Sequence, residues 1–201
     1  IHEIPPVCYP KEEQTGGIFL VWFYHWFWYF CVYSLFGFGL EVAFARLTGG
    51  RRDRKGLLLL PLCPVYGLGA CAIVLLPPVV RTSPLLLFLL GGAAAAAVEY
   101  LVAVFYEEGL GVQFWDYSEL PWNLQGRVCV MFALVWGAMG LALVKWVHPL
   151  VQELVRDIPA PVSLWAVLAA LADLAVSSWM MRATGGRECL QWYRFLRPDG
   201  A

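Results

Sequence analysis

Hydrophobic residues in this chain neither alternate nor recur as stripes; they run in blocks. Five blocks, at about 17–45, 57–80, 84–106, 127–147 and 161–181, are apolar almost throughout. A helix needs about 20 apolar residues to cross the hydrocarbon core of a bilayer, so each block predicts one transmembrane helix. The stretches 81–83 and 148–160 read as short connections, and 46–56 and 107–126 as the polar loops. The expected fold class is all-α: a polytopic membrane helix bundle of about five transmembrane helices. It divides into a polar extracytoplasmic segment 1–16, a transmembrane domain 17–182 and a cytoplasmic tail 183–201.

The second block breaks its own pattern. Residues 61–70 read "PLCPVYGLGA", with Pro61, Pro64, Gly67 and Gly69 inside an apolar run. Each proline removes a backbone donor and clashes with the carbonyl one turn earlier, so the second helix is expected to be broken between Pro61 and Gly69. In lipid, irregular backbone is tolerated only against protein or a wet cavity. Transporters use such breaks to aim carbonyls and half-helix ends at a solute, whereas a plain proline kink would merely fit neighbouring helices. Pro61, Cys63, Pro64 and Gly67 are the candidate break residues.

Composition supports the membrane reading. The 201 residues are 60% hydrophobic and 14% charged, with a mean hydropathy of +0.64. A soluble domain of that size could not hide so much apolar surface. Net charge is −1, which offers nothing to nucleic acid. The N-terminal residues, with Pro5, Pro6 and Pro10, lack a signal peptide's apolar core, and Ile1 suggests processing, trimming or a fragment. The segments 46–56, 107–127 and 182–201 hold ten of the fourteen Lys and Arg. Cytoplasmic loops carry that excess, so a cell-membrane protein with its N-terminus outside and its C-terminus in the cytoplasm is expected.

Metal and nucleotide chemistry find little footing. The six cysteines form no CxxC pair and the three histidines do not cluster, so neither a metal nor a cofactor is expected. No Walker A sequence surrounds Lys11, Lys55 or Lys145, so ATP hydrolysis through a P-loop is not expected. The run "VWFYHWFWYF" at 21–30 reads as an aromatic belt at the outer interface, with His25 wetted there. The run "GGAAAAA" at 91–97 reads as a face for close helix packing.

Polar residues within the blocks are the candidate chemistry. At about 1.5 Å per residue, Tyr66, Glu99 and Asp173 fall roughly 13, 10 and 12 Å from the cytoplasmic ends of their spans, beside the broken helix. Intramembrane carboxylates are costly and mark functional sites by default, although pairing for packing alone is the bland alternative, most seriously for Asp173. Glu41 shares a helix face with Ser34 and Gly37, and Glu99 shares one with Tyr106. The loop "EEGLGVQFWDYSELPWNLQGR" at 107–127 is too aromatic for a free linker. It is expected to fold back and cover the site, with Trp115, Tyr117 and Trp122 at headgroup level or over the pocket. Asp116 is expected to find a cationic or backbone-amide partner as it is buried, and Asn123 to cap the fourth span. Arg127 could pair with Asp116 or Glu107, or hold a lipid phosphate.

The motifs "KGLLLLPLCPVYGLGA", "EYLVAVFYEE", "FWDYSELPWNLQGRVCV" and "VWGAMG" occur in the order seen in the bacterial CmpB-like ABC-transporter family, which the chain resembles over roughly 35–140. The resemblance implies an integral membrane protein. It places the family's motif positions on Glu41, Arg54 or Lys55, Gly56, Pro61, Cys63, Pro64, Tyr66, Gly67, Glu99, Glu107, Trp115, Asp116, Tyr117, Ser118, Asn123, Gly126 and Arg127. The chain departs from the family with "RKG" in place of Asn-Arg-Gly and with Leu60 in place of Gly, and Asp173 lies outside the resemblance.

The reading that follows is a permease-like protein in contact with membrane lipids. It would bind a small cationic solute or ion in a cytoplasm-facing intramembrane pocket, with a separate ATPase subunit as the implied partner. Glu41, Tyr66, Glu99, Glu107, Trp115, Asp116, Tyr117, Asn123 and Arg127 are its candidate ligand-binding residues. Two alternatives stand beside it. One is a membrane-embedded enzyme acting on a lipid or prenyl-linked substrate, with Glu99, Glu107 or Asp116 as acid or base. The other is a non-catalytic assembly or sensor protein.

Overall fold

The computed structural model describes residues 15–47, 58–185 and 190. The basic loop with Arg54, Lys55 and Gly56, the N-terminal segment and nearly all of the tail lie outside the described residues. The architecture is an all-α bundle of α1 (Thr15–Leu47), α2 (Pro64–Val74), α3 (Pro78–Thr82), α4 (Pro84–Val104), α5 (Val130–Ala142), α6 (His148–Arg156) and α7 (Ala160–Thr184). A two-stranded antiparallel ribbon, β1 (Asn123–Leu124) with β2 (Val128–Cys129), lies in the loop before α5. Four helical stretches are long and apolar enough to cross a membrane: Phe19–Leu47, Pro84–Gly109, Val130–Arg156 and Ala160–Thr184.

The second block departs from the expected full span. Its long helix is only Pro64–Val74, 11 residues and about 16 Å, roughly half the hydrocarbon core, and a separate short helix, α3, begins at Pro78. The break is also displaced from 61–69 to 58–63. Pro64 starts the helix, because a proline in the first turn gives up a donor that would be unpaired anyway. Gly67 and Gly69 lie within α2, where they serve close packing. A Cβ on Gly67 would run into Ser34 and Phe30 of α1, and one on Gly69 would meet the Trp136 ring at 3.3 Å. The half-helix therefore sits inside a ring of α1, α4 and α5, and Ile73 at its far end is 1% exposed.

The fourth span is longer than 127–147. It begins at Val130 and continues through a π-helical turn at Leu143–Val147 into α6, so 148–156 is helix and not connection. The wide turn explains the continuity, since it loosens the backbone just ahead of Pro149, whose ring would clash with a regular preceding turn. A second π-helical turn, Phe105–Gly109, ends the third span. The glycine-alanine run packs α4 on α5. A Cβ on Gly92 would lie 2.5 Å from the Ala133 carbonyl, and one on Gly137 would strike the Phe88 carbonyl. Side chains of exposed Phe19, Val21, Trp22 and Phe23 point outward from the start of α1, whereas Tyr29 and Tyr33 are buried.

Candidate functional site

The centre of the bundle, beside the start of α2, holds two carboxylates tied into one set of aromatic rings. Tyr66, on the first turns of α2, donates its hydroxyl to Glu41 Oε1 of α1 at 2.8 Å. Its ring lies against Trp136 of α5, with centroids 5.1 Å apart. Trp136 donates Nε1–H to Glu99 Oε2 of α4 at 3.1 Å, and Tyr117 of the loop donates to Glu99 Oε1 at 3.0 Å. Four elements and the loop thus converge on Glu41, Tyr66, Glu99, Tyr117 and Trp136. Ser34, Gly37 and Glu41 supply the α1 side: Gly37 is where the Tyr66 ring crosses α1, and Ser34 backs Gly67.

Chemistry at this cluster is lopsided. Glu99 is 6% exposed and receives two neutral donors, and no cation pairs with it among the described residues. The Tyr117 phenol is held well above its ordinary range, first by burial and then by the Glu99 carboxylate, with Glu41 adding to the same effect. Glu41 is half-buried, so the buried charge of the cluster is that of Glu99. Buried negative charge met by neutral donors alone is expensive, so the Glu99 side of the cluster is suited to positive charge.

Glu107 and Arg127 form a separate rim. Arg127 approaches Glu107 Oε2 with Nε at 2.8 Å and Nη2 at 2.7 Å, and its Nη1 donates to Gln125 Oε1 at 2.6 Å and to the Tyr100 hydroxyl at 3.3 Å. The guanidinium also lies 5.4 Å from the Tyr100 ring centroid. Those hydrogen bonds, led by the one to Glu107, raise the Arg127 guanidinium further above its ordinary value. Of the partners open to Arg127 in the sequence, Glu107 takes it, and Asp116 does not.

The loop folds back on the bundle, as its aromatics require. Phe114 packs on Tyr106 at 4.6 Å, Trp115 lies edge-on to Tyr106 at 6.0 Å, and Tyr117 stacks on Phe132 at 4.7 Å. Trp115 donates Nε1–H to the Arg127 carbonyl at 2.8 Å. Asp116 finds the backbone-amide partner expected of it: its Oδ1 accepts from the Ser118 amide at 2.8 Å in a tight turn. Two expectations need correction: Asp116 is exposed and not buried, with no ion pair among the described residues, and Asn123 plays another part. That amide, with the Ser118 hydroxyl, holds the Asp116 carboxyl below the usual carboxylate range. Asn123 does not cap α5, which starts at Val130 after an uncapping Cys129. It pins the ribbon, donating to the Ser118 and Leu120 carbonyls at 3.2 and 2.7 Å and accepting from Gly126 N at 3.0 Å. Five residues separate Asn123 from Cys129, so the ribbon intervenes before a helix can begin.

Asp173 stands apart from the cluster although the sequence set it at the same depth. Its Oδ1 and Oδ2 accept from the backbone amides of Leu59 and Leu60, each at 3.0 Å, and Ser177 donates to Oδ1 at 2.9 Å. Cys63 N donates to the Ser34 carbonyl at 3.0 Å. Asp173 thus satisfies the segment 58–63 where helical bonding fails, and Pro61 stays exposed between the two anchors. Trp136, Tyr100 and Gln125 were not singled out in the sequence. An indole buried in a span must find an acceptor, and that requirement alone could have linked Trp136 to a carboxylate.

A fold of four long apolar helices around a half-helix with intramembrane carboxylates defines a multi-pass membrane protein. The family model described as "Putative ABC-transporter type IV" matches residues 28–180, and the chain belongs to that family of membrane transport-related proteins. The match extends beyond 35–140 and takes in Asp173. No curated protein and no solved structure matches the chain.

Proposed function

We propose that this protein is the permease-like membrane subunit of a transporter, and that it binds a small cation or cationic solute between Glu41 and Glu99. One observation carries the reading: two carboxylates, on the two helices α1 and α4 that pack against the half-helix, share one aromatic set, Tyr66, Trp136 and Tyr117, at its mouth. Aromatic faces and carboxylates together suit a cation, the rings through their negative faces and the acids through charge. Tyr117 makes the loop part of the seat, so occupancy would be felt at the surface where a separate ATPase subunit would act. The reading as a lipid enzyme asks Arg127 to hold a phosphate, and that guanidinium is already taken by Glu107, Gln125 and Tyr100.

The test is a melting series on the purified full chain in detergent, titrated with sodium, potassium, magnesium and tetramethylammonium chlorides at fixed ionic strength. At least one cation is expected to raise the melting temperature of the parent in a saturable way, and Glu99→Gln to abolish that rise. No saturable rise with any of the four, or the same rise in Glu99→Gln and Glu41→Gln, overturns the proposal.

A further inference from the structure

The aromatics of the 107–127 loop had two places open to them, over the pocket or at headgroup level, and they divide. Trp115 and Tyr117 lie on the bundle. The Trp122 ring is 83% exposed, stacks on no ring and finds no acceptor for its N–H among the described residues. Its backbone is nonetheless held. The Trp122 carbonyl accepts from the Val130 amide at 3.2 Å, and Tyr117 N donates to the Gly126 carbonyl at 2.7 Å. Trp122 and Gln125 are left-handed, with φ of 57° and 55°, a conformation that residues other than glycine resist. The bonds around the turn impose it.

The loop is drawn back along α4 instead of standing off beyond its end. Tyr117 reaches Glu99, the Tyr100 hydroxyl donates to Gln125 Oε1 at 2.7 Å, and Arg127 holds Glu107. Glu99 lies about 15 Å back along the helix from Gly109. Span length then fixes the depth of this level. The stretch Val130–Arg156 has 27 residues, about 40 Å as helix, against a hydrocarbon core of about 30 Å. Its charged residues, Lys145, Glu153 and Arg156, all lie toward the far end, and 130–144 carries none. The surplus length therefore belongs to the far end, and Val130 stays at the edge of the core. Val130 and Met131 are each 51% exposed there, on the surface that faces lipid. Trp122, bonded to Val130, continues that surface.

We propose that the segment 117–129 is seated in the lipid headgroup layer, with the Trp122 ring at the boundary with hydrocarbon. An indole suits that level, with its apolar body toward the chains and its N–H toward headgroup oxygens and water. A soluble partner would have to enter the headgroup layer to reach the ring, so the occupant is lipid. The seat does not rest on the cation reading.

The test is tryptophan fluorescence of the full chain in phosphatidylcholine vesicles, with lipid brominated near the headgroup, near the chain ends or not at all. Subtracting the spectrum of Trp122→Phe from that of the parent isolates the Trp122 emission. The variant should melt with the parent in detergent, since the ring packs on no other ring. The isolated emission should lie to the blue of free tryptophan, resist iodide added to the water, and lose more intensity to bromine near the headgroup than to bromine near the chain ends. Quenching by iodide with no loss to either brominated lipid puts the ring in water, open to a soluble protein, and overturns the seat. A greater loss to bromine near the chain ends overturns the headgroup level. Should Trp122→Phe fail to fold, Trp122→Tyr keeps a ring with a polar tip and gives a difference spectrum read in the same way.

Discussion

Asp173 and Glu99 are both carboxylates inside the membrane domain, 9% and 6% exposed, and they do opposite things. Asp173 is filled by main-chain amides of Leu59 and Leu60 and by Ser177 one turn away. It serves as acceptor for amides of the segment 58–63, which is not helical. Among the described residues Glu99 is met by side chains alone, Trp136 and Tyr117, which come from α5 and from the loop. An acid that holds backbone is a structural part, because no ligand can displace a main chain. An acid held by two aromatic tips can exchange its partners. Burial alone does not tell the two apart; the nature of the donors does.

Removing Asp173 should give the largest effect. Asp173→Ala leaves the Leu60 amide without its acceptor and the Leu59 amide with the more distant Ser177 hydroxyl at 3.3 Å, and stability should fall by about 2–4 kcal/mol, since an orphaned buried donor costs about 1–3 kcal/mol and the Leu59 bond is weakened as well. The melting temperature in detergent should drop sharply, and Asp173→Asn, which keeps one acceptor oxygen, should recover part of the loss. A stable Asp173→Ala protein that loses its cation response would reverse the two roles.

Gly67→Ala comes next. The added methyl would collide with Ser34 and the Phe30 carbonyl, so α2 must shift away from α1 at a cost of about 1–3 kcal/mol. Because Tyr66 precedes Gly67, both melting temperature and cation response should fall together. An unchanged melt would mean that α1 and α2 do not meet as closely as the packing at this glycine requires.

Glu99→Gln should cost little stability, within about 1 kcal/mol, because the amide oxygen still accepts one of the two hydrogen bonds. Its expected signature is functional: the melt stays and the cation response goes. A collapse of the melt comparable to Asp173→Ala would make Glu99 another structural acid.

The smallest effect is expected at Asp116. Its carboxyl titrates below the usual range, so the stability it lends is present above the ordinary carboxylate value and is lost as pH falls through the lowered one. Asp116→Ala should remove a shallow acid-side slope from the curve of melting temperature against pH. Glu119→Ala, also exposed, should leave that slope alone. A large change at neutral pH in Asp116→Ala would place this residue in the site after all.

Much of this protein was legible as sequence because the controlling physics is local. Block hydropathy located three of the long helices, and the start of the fourth, within a few residues, since the cost of exposing polar backbone or side chains to lipid is met residue by residue. Prolines at 61 and 64 announced the break, because a missing N–H acts wherever it stands. The break moved to 58–63 because proline ends a helix behind it and can begin one ahead of it. Partner choice was not local. The spans are apolar on every side, so no amphipathic stripe reveals which face turns inward, and lipid and protein interior reward the same residues. Only the tertiary structure decided that Tyr66 meets Glu41, that Glu99 meets Trp136 and Tyr117, and that Asp173 turns away to hold the broken segment. Helix rotation and crossing, set by close contacts such as Gly92 on Ala133 and Gly67 on Ser34, made those choices.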